Sequence, residues 1–181
     1  MNHFENKKTM PEFIPVLTRE AIEKLVTGIA RRISDDYEDQ ELILIGVLKG
    51  AFIFLSDLCR HLTIPVMIDF LQASSYGDDT SSSGHIQLIK DVGLNIRGKD
   101  VLIVEDIVDT GLTLSYLIQH IKSLGAKTVK ICTLIDKRER RQTDIVVEYA
   151  CHVAEAGFLV GYGLDYAEKY RELPGIFHLK Q

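Results

Sequence analysis

Three acidic side chains stand where an apolar run gives way to a helix start. Residues 101–114 read VLIVEDIVDTGLTL. The run Val101-Leu102-Ile103-Val104 ends in Glu105 and Asp106, Asp109 follows three positions later, and Thr110-Gly111-Leu112-Thr113 opens the next helix. A helix start presents unpaired backbone N–H groups and the positive end of its dipole. Thr110 and Thr113 add hydroxyl donors, and Gly111 lets the backbone come close to a ligand. Together these make a phosphate cradle. Carboxylates turned on the phosphate itself would repel it. Glu105 and Asp106 therefore make sense facing sugar hydroxyls, or a magnesium ion. An acidic pair alone is as readily a solvated corner, because acids favour helix starts for dipole reasons; the whole string is far more restrictive.

These residues need a scaffold that brings strand ends and helix starts to one edge. Thr18 is a good helix N-cap. Ile22, Leu25, Val26, Ile29, Ala30 and Ile33 then recur at helical spacing, giving one apolar face. Leu42 to Val47 is a short continuous apolar run, as expected of a strand buried on both faces of a parallel sheet. Lys49-Gly50 interrupts it, and Ala51 to His61 reads as a helix. Strands are expected at Val66 to Leu71, Ile86 to Ile89, Val101 to Val104 and Thr128 to Ile135. A helix through Leu114, Leu117, Ile118, Ile121 and Leu124 is stopped by Gly125. The polar stretch Ser74 to Gly84 reads as a loop. Strand and helix alternating at this rhythm predict an α/β fold, a mostly parallel sheet flanked by helices. After residue 144 the pattern weakens to short strands and turns, which with the N-terminal residues predict a small second lobe. No internal repeat is visible, and residues 1–181 read as one domain.

Composition sets the outer limits. Of 181 residues, 46% are hydrophobic and 26% charged, enough for a core and against disorder. The net charge of −5 argues against a non-specific nucleic-acid binder. Cys59, Cys132 and Cys151 are odd in number and lack metal-ligand spacing, so they read as reduced thiols in a cytoplasmic protein. Met1 to Leu17 carries no apolar stretch of signal-peptide type, and no run approaches the ~18 apolar residues a membrane helix needs. The six histidines show no metal spacing; His152 and His178 lie in apolar surroundings and read as structural.

The string at 101–114 resembles the phosphoribosyl pyrophosphate (PRPP) motif of type I phosphoribosyltransferases, most closely the hypoxanthine-guanine branch. The likeness runs along most of the chain. It implies that Glu105 and Asp106 hold the ribose hydroxyls, and that Asp109, Thr110, Gly111, Leu112 and Thr113 wrap the 5′-phosphate. Asp109 would also act as general base at N7 of the purine. Lys49-Gly50 resembles the family's pyrophosphate turn, often a non-proline cis peptide, and Arg171 its pyrophosphate arginine. Ser75-Tyr76 resembles the start of a lid that closes during reaction. Lys137 is similar to the lysine that donates to the purine O6, with Arg138 where many bacterial relatives have proline. The basic run Arg138, Arg140, Arg141 otherwise reads as solvated surface. Phe158 would stack on the purine, the Leu159 backbone would read its edge, and Asp165 would bind magnesium. Glu105 and Asp106 are further candidates for the metal.

The implied activity is transfer of phosphoribose from PRPP to hypoxanthine or guanine, with Mg²⁺ as cofactor, in a homodimer or homotetramer. A regulator that senses PRPP or a nucleotide on the same fold is the alternative. An acid at position 109 and the acidic balance of the chain favour the enzyme.

Overall fold

The computed structural model describes residues 11–75, 86–154 and 157–180. Six strands form the main sheet: β2 (Leu42–Leu48), β3 (Val66–Ser75), β4 (Ile86–Lys90), β5 (Asp100–Val108), β6 (Thr128–Lys137) and β7 (Tyr149–Ala154). Their order is β4-β3-β2-β5-β6-β7; all neighbours run parallel except β4, which is antiparallel to β3. Helix α1 (Arg19–Asp36) starts at Thr18, whose side chain accepts from the Ala21 N–H at 3.2 Å. Two more helices, α2 (Phe52–His61) and α3 (Leu112–Ser123), complete the layers.

The strands sort their side chains by parity. Leu42, Leu44, Leu102, Val104, Cys132 and Leu134 pack with α1 and α2 on one face. Ile43, Ile45, Val101, Ile103 and Ile131 pack with α3 on the other. Both faces are therefore dry, which is why these strands read as unbroken apolar runs. A second sheet, ordered β1-β9-β8, joins β1 (Glu12–Leu17) to β9 (Ile176–Lys180) and β8 (Leu159–Val160). It is the expected small lobe, built from both ends of the described chain.

Three strands outrun their expected bounds. β5 does not end at Val104: Glu105 pairs with Thr133, Ile107 with Ile135 and Val108 with Asp136. β6 runs on alongside to Lys137, so the ladder continues past the acidic residues and polar side chains do not stop it. β3 likewise continues to Ser75, pairing with Ile86 of β4. Ser74 and Ser75 therefore belong to a strand and not to a loop; Tyr76 and residues 77–85 lie outside the described residues.

Candidate active site

The parallel strands deliver three chain segments to one sheet edge: Leu48-Lys49-Gly50 after β2, Glu105 to Thr113 along and after β5, and Lys137 at the end of β6. Ligands bind beyond such carboxyl ends in open α/β sheets. A cleft of about 340 Å³ lies here, lined by Lys49, Gly50, Glu105, Thr110, Thr113 and Arg171 among others. It meets a second hollow of about 500 Å³, whose lining includes Lys137, Arg140, Phe158, Leu159 and Leu164. Asp106, Ile107, Asp109 and Asp165 line both. The expected site residues thus converge, those of the sugar and phosphate set in one hollow and those of the base set in the next. Leu112, at the head of α3, is absent from both linings and has its side chain partly exposed.

The first hollow is polar by construction. Leu48-Lys49 is a cis peptide. A Cβ on Gly50 would collide with the Asp106 carboxylate, so only glycine lets the turn settle against it. Glu105 and Asp106 are themselves buried. Burial pushes the Glu105 carboxyl well above its ordinary range, reinforced by the neighbouring Asp106 charge. Burial raises Asp106 too, partly offset by hydrogen bonds that its carboxylate accepts. Two such groups call for hydroxyl donors or a cation. Arg171 donates from Nη1 to the Gly163 carbonyl at 2.7 Å and pairs through Nη2 with Asp165 Oδ1 at 2.8 Å, while its buried Nε has no partner among the described residues. Lys49 Nζ pairs with Glu168 at 3.1 Å.

Asp109 sits at the junction. Its Oδ2 lies 3.4 Å from Arg140 Nη1 and 3.8 Å from Lys137 Nζ. Its Oδ1 is buried with no hydrogen-bond partner among the described residues. Lys137 is buried and donates to the Gly157 carbonyl at 3.0 Å, which leaves further protons for the hollow. Phe158 is half exposed, and its ring meets Tyr166 edge to face with centroids 5.5 Å apart. A face left open in this way can take a flat ring.

Gly111, at φ 81°, is the N-cap of α3 and lines the cleft; its missing Cβ also makes room for Thr143. One reading of the residues needs correction: Arg141 is not solvated surface. It donates to the Asp109 carbonyl at 3.0 Å, to Lys137 O at 3.2 Å and to the buried Asp136 at 2.5 Å, tying the β5 and β6 loops together. Arg140 and Glu168 also touch candidate site residues. Arg140 and Arg141 sit in a run that composition cannot separate from an ordinary charged surface, and Glu168 meets Lys49 across 119 positions of sequence.

A magnesium ion can be tested against these donors. Among the described residues no group of three or more His, Cys, Asp or Glu is arranged to hold a metal. Besides Asp109, the Asp165 carboxylate borders the hollow, and the buried Glu105-Asp106 pair lies in the same wall. That set fits Mg²⁺, which takes one or two protein carboxylates and completes its shell with phosphate oxygens and water.

Residues 16–167 match the family model for the phosphoribosyl transferase domain. The chain belongs to the phosphoribosyltransferase family. Among phosphoribosyltransferases it is similar to the hypoxanthine-guanine phosphoribosyltransferase of Bacillus subtilis, at 44% identity over 91% of this chain and 92% of that one. The hypoxanthine phosphoribosyltransferase of Salmonella typhimurium is 43% identical over 91% and 94%. The crystal structure of a Bacillus anthracis hypoxanthine-guanine phosphoribosyltransferase superposes with a TM-score of 0.88 at 42% identity. It covers 95% of this chain and 100% of that one.

Proposed function

We propose that this phosphoribosyltransferase moves the 5-phosphoribosyl group of PRPP onto a 6-oxopurine, hypoxanthine or guanine, releasing pyrophosphate in purine salvage. The observation that carries the assignment to the base is the junction at Asp109: a buried, unpartnered carboxylate oxygen between a polar hollow and a hollow walled by Phe158 and Lys137. In this reading Glu105 and Asp106 accept from the ribose hydroxyls. The free N–H groups at the start of α3, with Thr110 and Thr113, hold the 5′-phosphate. Lys49, Gly50 and Arg171 take the pyrophosphate. Phe158 stacks on the purine, the Leu159 backbone reads its edge and Lys137 donates to O6. Asp109 Oδ1 accepts the N7 proton as N9 bonds to C1 of the sugar. Mg²⁺, held by Asp165 with Glu105 or Asp106 nearby, would neutralise charge on the departing pyrophosphate.

Relatives similar over nine-tenths of the chain carry enzyme names, and Asp109 is in place, so the regulator reading loses its support. Free thiols at Cys59, Cys132 and Cys151 agree with a reducing cytoplasm. No helix among the described residues is long and apolar enough to cross a membrane. A homodimer or homotetramer is the assembly expected of this family reading, and sedimentation would count the subunits.

The test is direct. The protein is incubated with PRPP, magnesium and, separately, hypoxanthine, guanine, xanthine, adenine or uracil, and nucleotide is quantified. Product with hypoxanthine or guanine is expected. PRPP binding without product from any base would overturn the assignment.

A further inference from the structure

Gly161, Tyr162 and Gly163 run consecutively at φ values of 100°, 49° and 104°. Glycine enters that region freely, but a tyrosine there must be held by its surroundings. The Tyr162 hydroxyl donates to Asp57 Oδ2 of α2 at 2.5 Å, and its backbone N–H donates to the Leu173 carbonyl at 2.9 Å. The side chain is buried. Burial, reinforced by the hydrogen bond to Asp57, pushes the phenol's pKa up, so it stays a donor.

Beyond Tyr162 the chain enters the pyrophosphate wall. The Gly163 N–H donates to the Arg171 carbonyl at 3.0 Å, and Arg171 Nη1 returns to the Gly163 carbonyl at 2.7 Å. A Cβ on Gly163 would collide with the Gly50 carbonyl, so this residue rests directly on the Lys49-Gly50 turn. That turn leads within two residues into α2, which carries Asp57. The contacts therefore close a ring: Gly50, α2, Asp57, Tyr162, Gly163 and back to Gly50. Arg171 hangs from that ring with a buried Nε that no group among the described residues satisfies.

We propose that Tyr162, anchored on Asp57, is a positioning residue that aims Arg171 and the Lys49-Gly50 turn at the pyrophosphate of PRPP. It touches no substrate; it acts by fixing the Gly163 backbone on which both pyrophosphate groups rest. This inference rests on the assignment of Arg171 to pyrophosphate given above.

The experiment compares Tyr162→Phe, Asp57→Ala, their double variant and Arg171→Ala. It measures the Kd for magnesium pyrophosphate, KM for PRPP, KM for hypoxanthine and the thermal midpoint. Tyr162→Phe keeps the ring and deletes only the anchor. A Kd for pyrophosphate and a KM for PRPP raised roughly tenfold are expected, since small misplacements at such sites cost up to about a hundredfold. KM for hypoxanthine should hold. Asp57→Ala, which leaves the tyrosine intact, should reproduce the effect, and the double variant should be no worse than either single one. Should Tyr162→Phe fail to fold, Asp57→Ala reads the same anchor. Wild-type pyrophosphate binding in a folded Tyr162→Phe, beside a weakened Arg171→Ala, overturns the positioning role and spares the assignment of Arg171. A loss spread equally over hypoxanthine and pyrophosphate also overturns it, as general loosening. An Arg171→Ala that binds pyrophosphate normally overturns both.

Discussion

Asp109 presents the cleft with one oxygen held near two cations and another that no group among the described residues satisfies. The satisfied oxygen fixes the carboxylate; the free one is left for a ligand proton. Asp109→Asn keeps shape and polarity but cannot take a proton. Turnover with hypoxanthine should fall roughly 10²- to 10⁴-fold, the usual worth of a placed base, while the Kd for PRPP stays near wild type. Stopped-flow turnover alongside calorimetric PRPP binding checks both halves. Unchanged turnover would remove the base role. Glu105 makes a different prediction. Its buried carboxyl holds its proton above the ordinary 4.5 when folded and loses it when unfolded. The folded state thus binds more protons, so this group's stabilising contribution is present below about 4.5 and is lost as pH rises towards the raised folded value. Without PRPP or magnesium, the thermal midpoint of the wild type should therefore decline with pH more steeply than that of Glu105→Gln. Parallel pH curves would show that Glu105 is not shifted. The three acids could be read from the sequence because a buried strand rarely carries charge. Arg141 and Glu168 could not, since what distinguishes them from solvated residues is a partner on another element.

At the scale of elements, the loop after β5 is held from the side by the loop after β6. Arg141 spans the two, and Asp136 beneath it is almost fully buried. Among the described residues, deleting the guanidinium leaves Asp136 with only the exposed Arg138 as counterion. Arg141→Ala should lower unfolding free energy by about 3 kcal/mol, the low end for a buried pair losing a partner. Urea denaturation followed by circular dichroism measures this. A change within about 0.5 kcal/mol, typical of surface positions, would mean that Arg138 compensates. The same scale shows where periodicity stops informing. The start of α1 at its Thr18 cap and its apolar stripe are legible, while its end at Asp36 lies beyond the last apolar position of that stripe, Ile33. The ends of β3, β5 and β6 are not legible, because a strand continues wherever a neighbour continues beside it, and neighbours are set by the whole sheet.

At the scale of the molecule, the two sheets share the proposed site. The large, mostly parallel sheet delivers Glu105, Asp106, Asp109, Lys137 and the start of α3. The small sheet positions the base segment: Leu159 pairs with His178, and the Phe158 carbonyl accepts from the Leu179 N–H at 3.0 Å. That a second lobe would form from the chain ends was legible, since the α/β rhythm fades after residue 144. Its pairing was not, because β1 and β9 lie at opposite ends of the sequence and β8 is two residues long. The arrangement has a kinetic consequence. Phe158 projects from the small sheet into the base hollow and makes no polar contact with the sugar-phosphate wall. Phe158→Ala removes a stacking face worth about 1–3 kcal/mol per base in comparable settings. KM for hypoxanthine should rise roughly tenfold while the Kd for PRPP and the thermal midpoint hold steady. Steady-state kinetics with each substrate varied in turn separates the terms. A matching rise in both constants would mean that the sheets move as one unit and that the separation of base and phosphoribosyl recognition is not built into the fold.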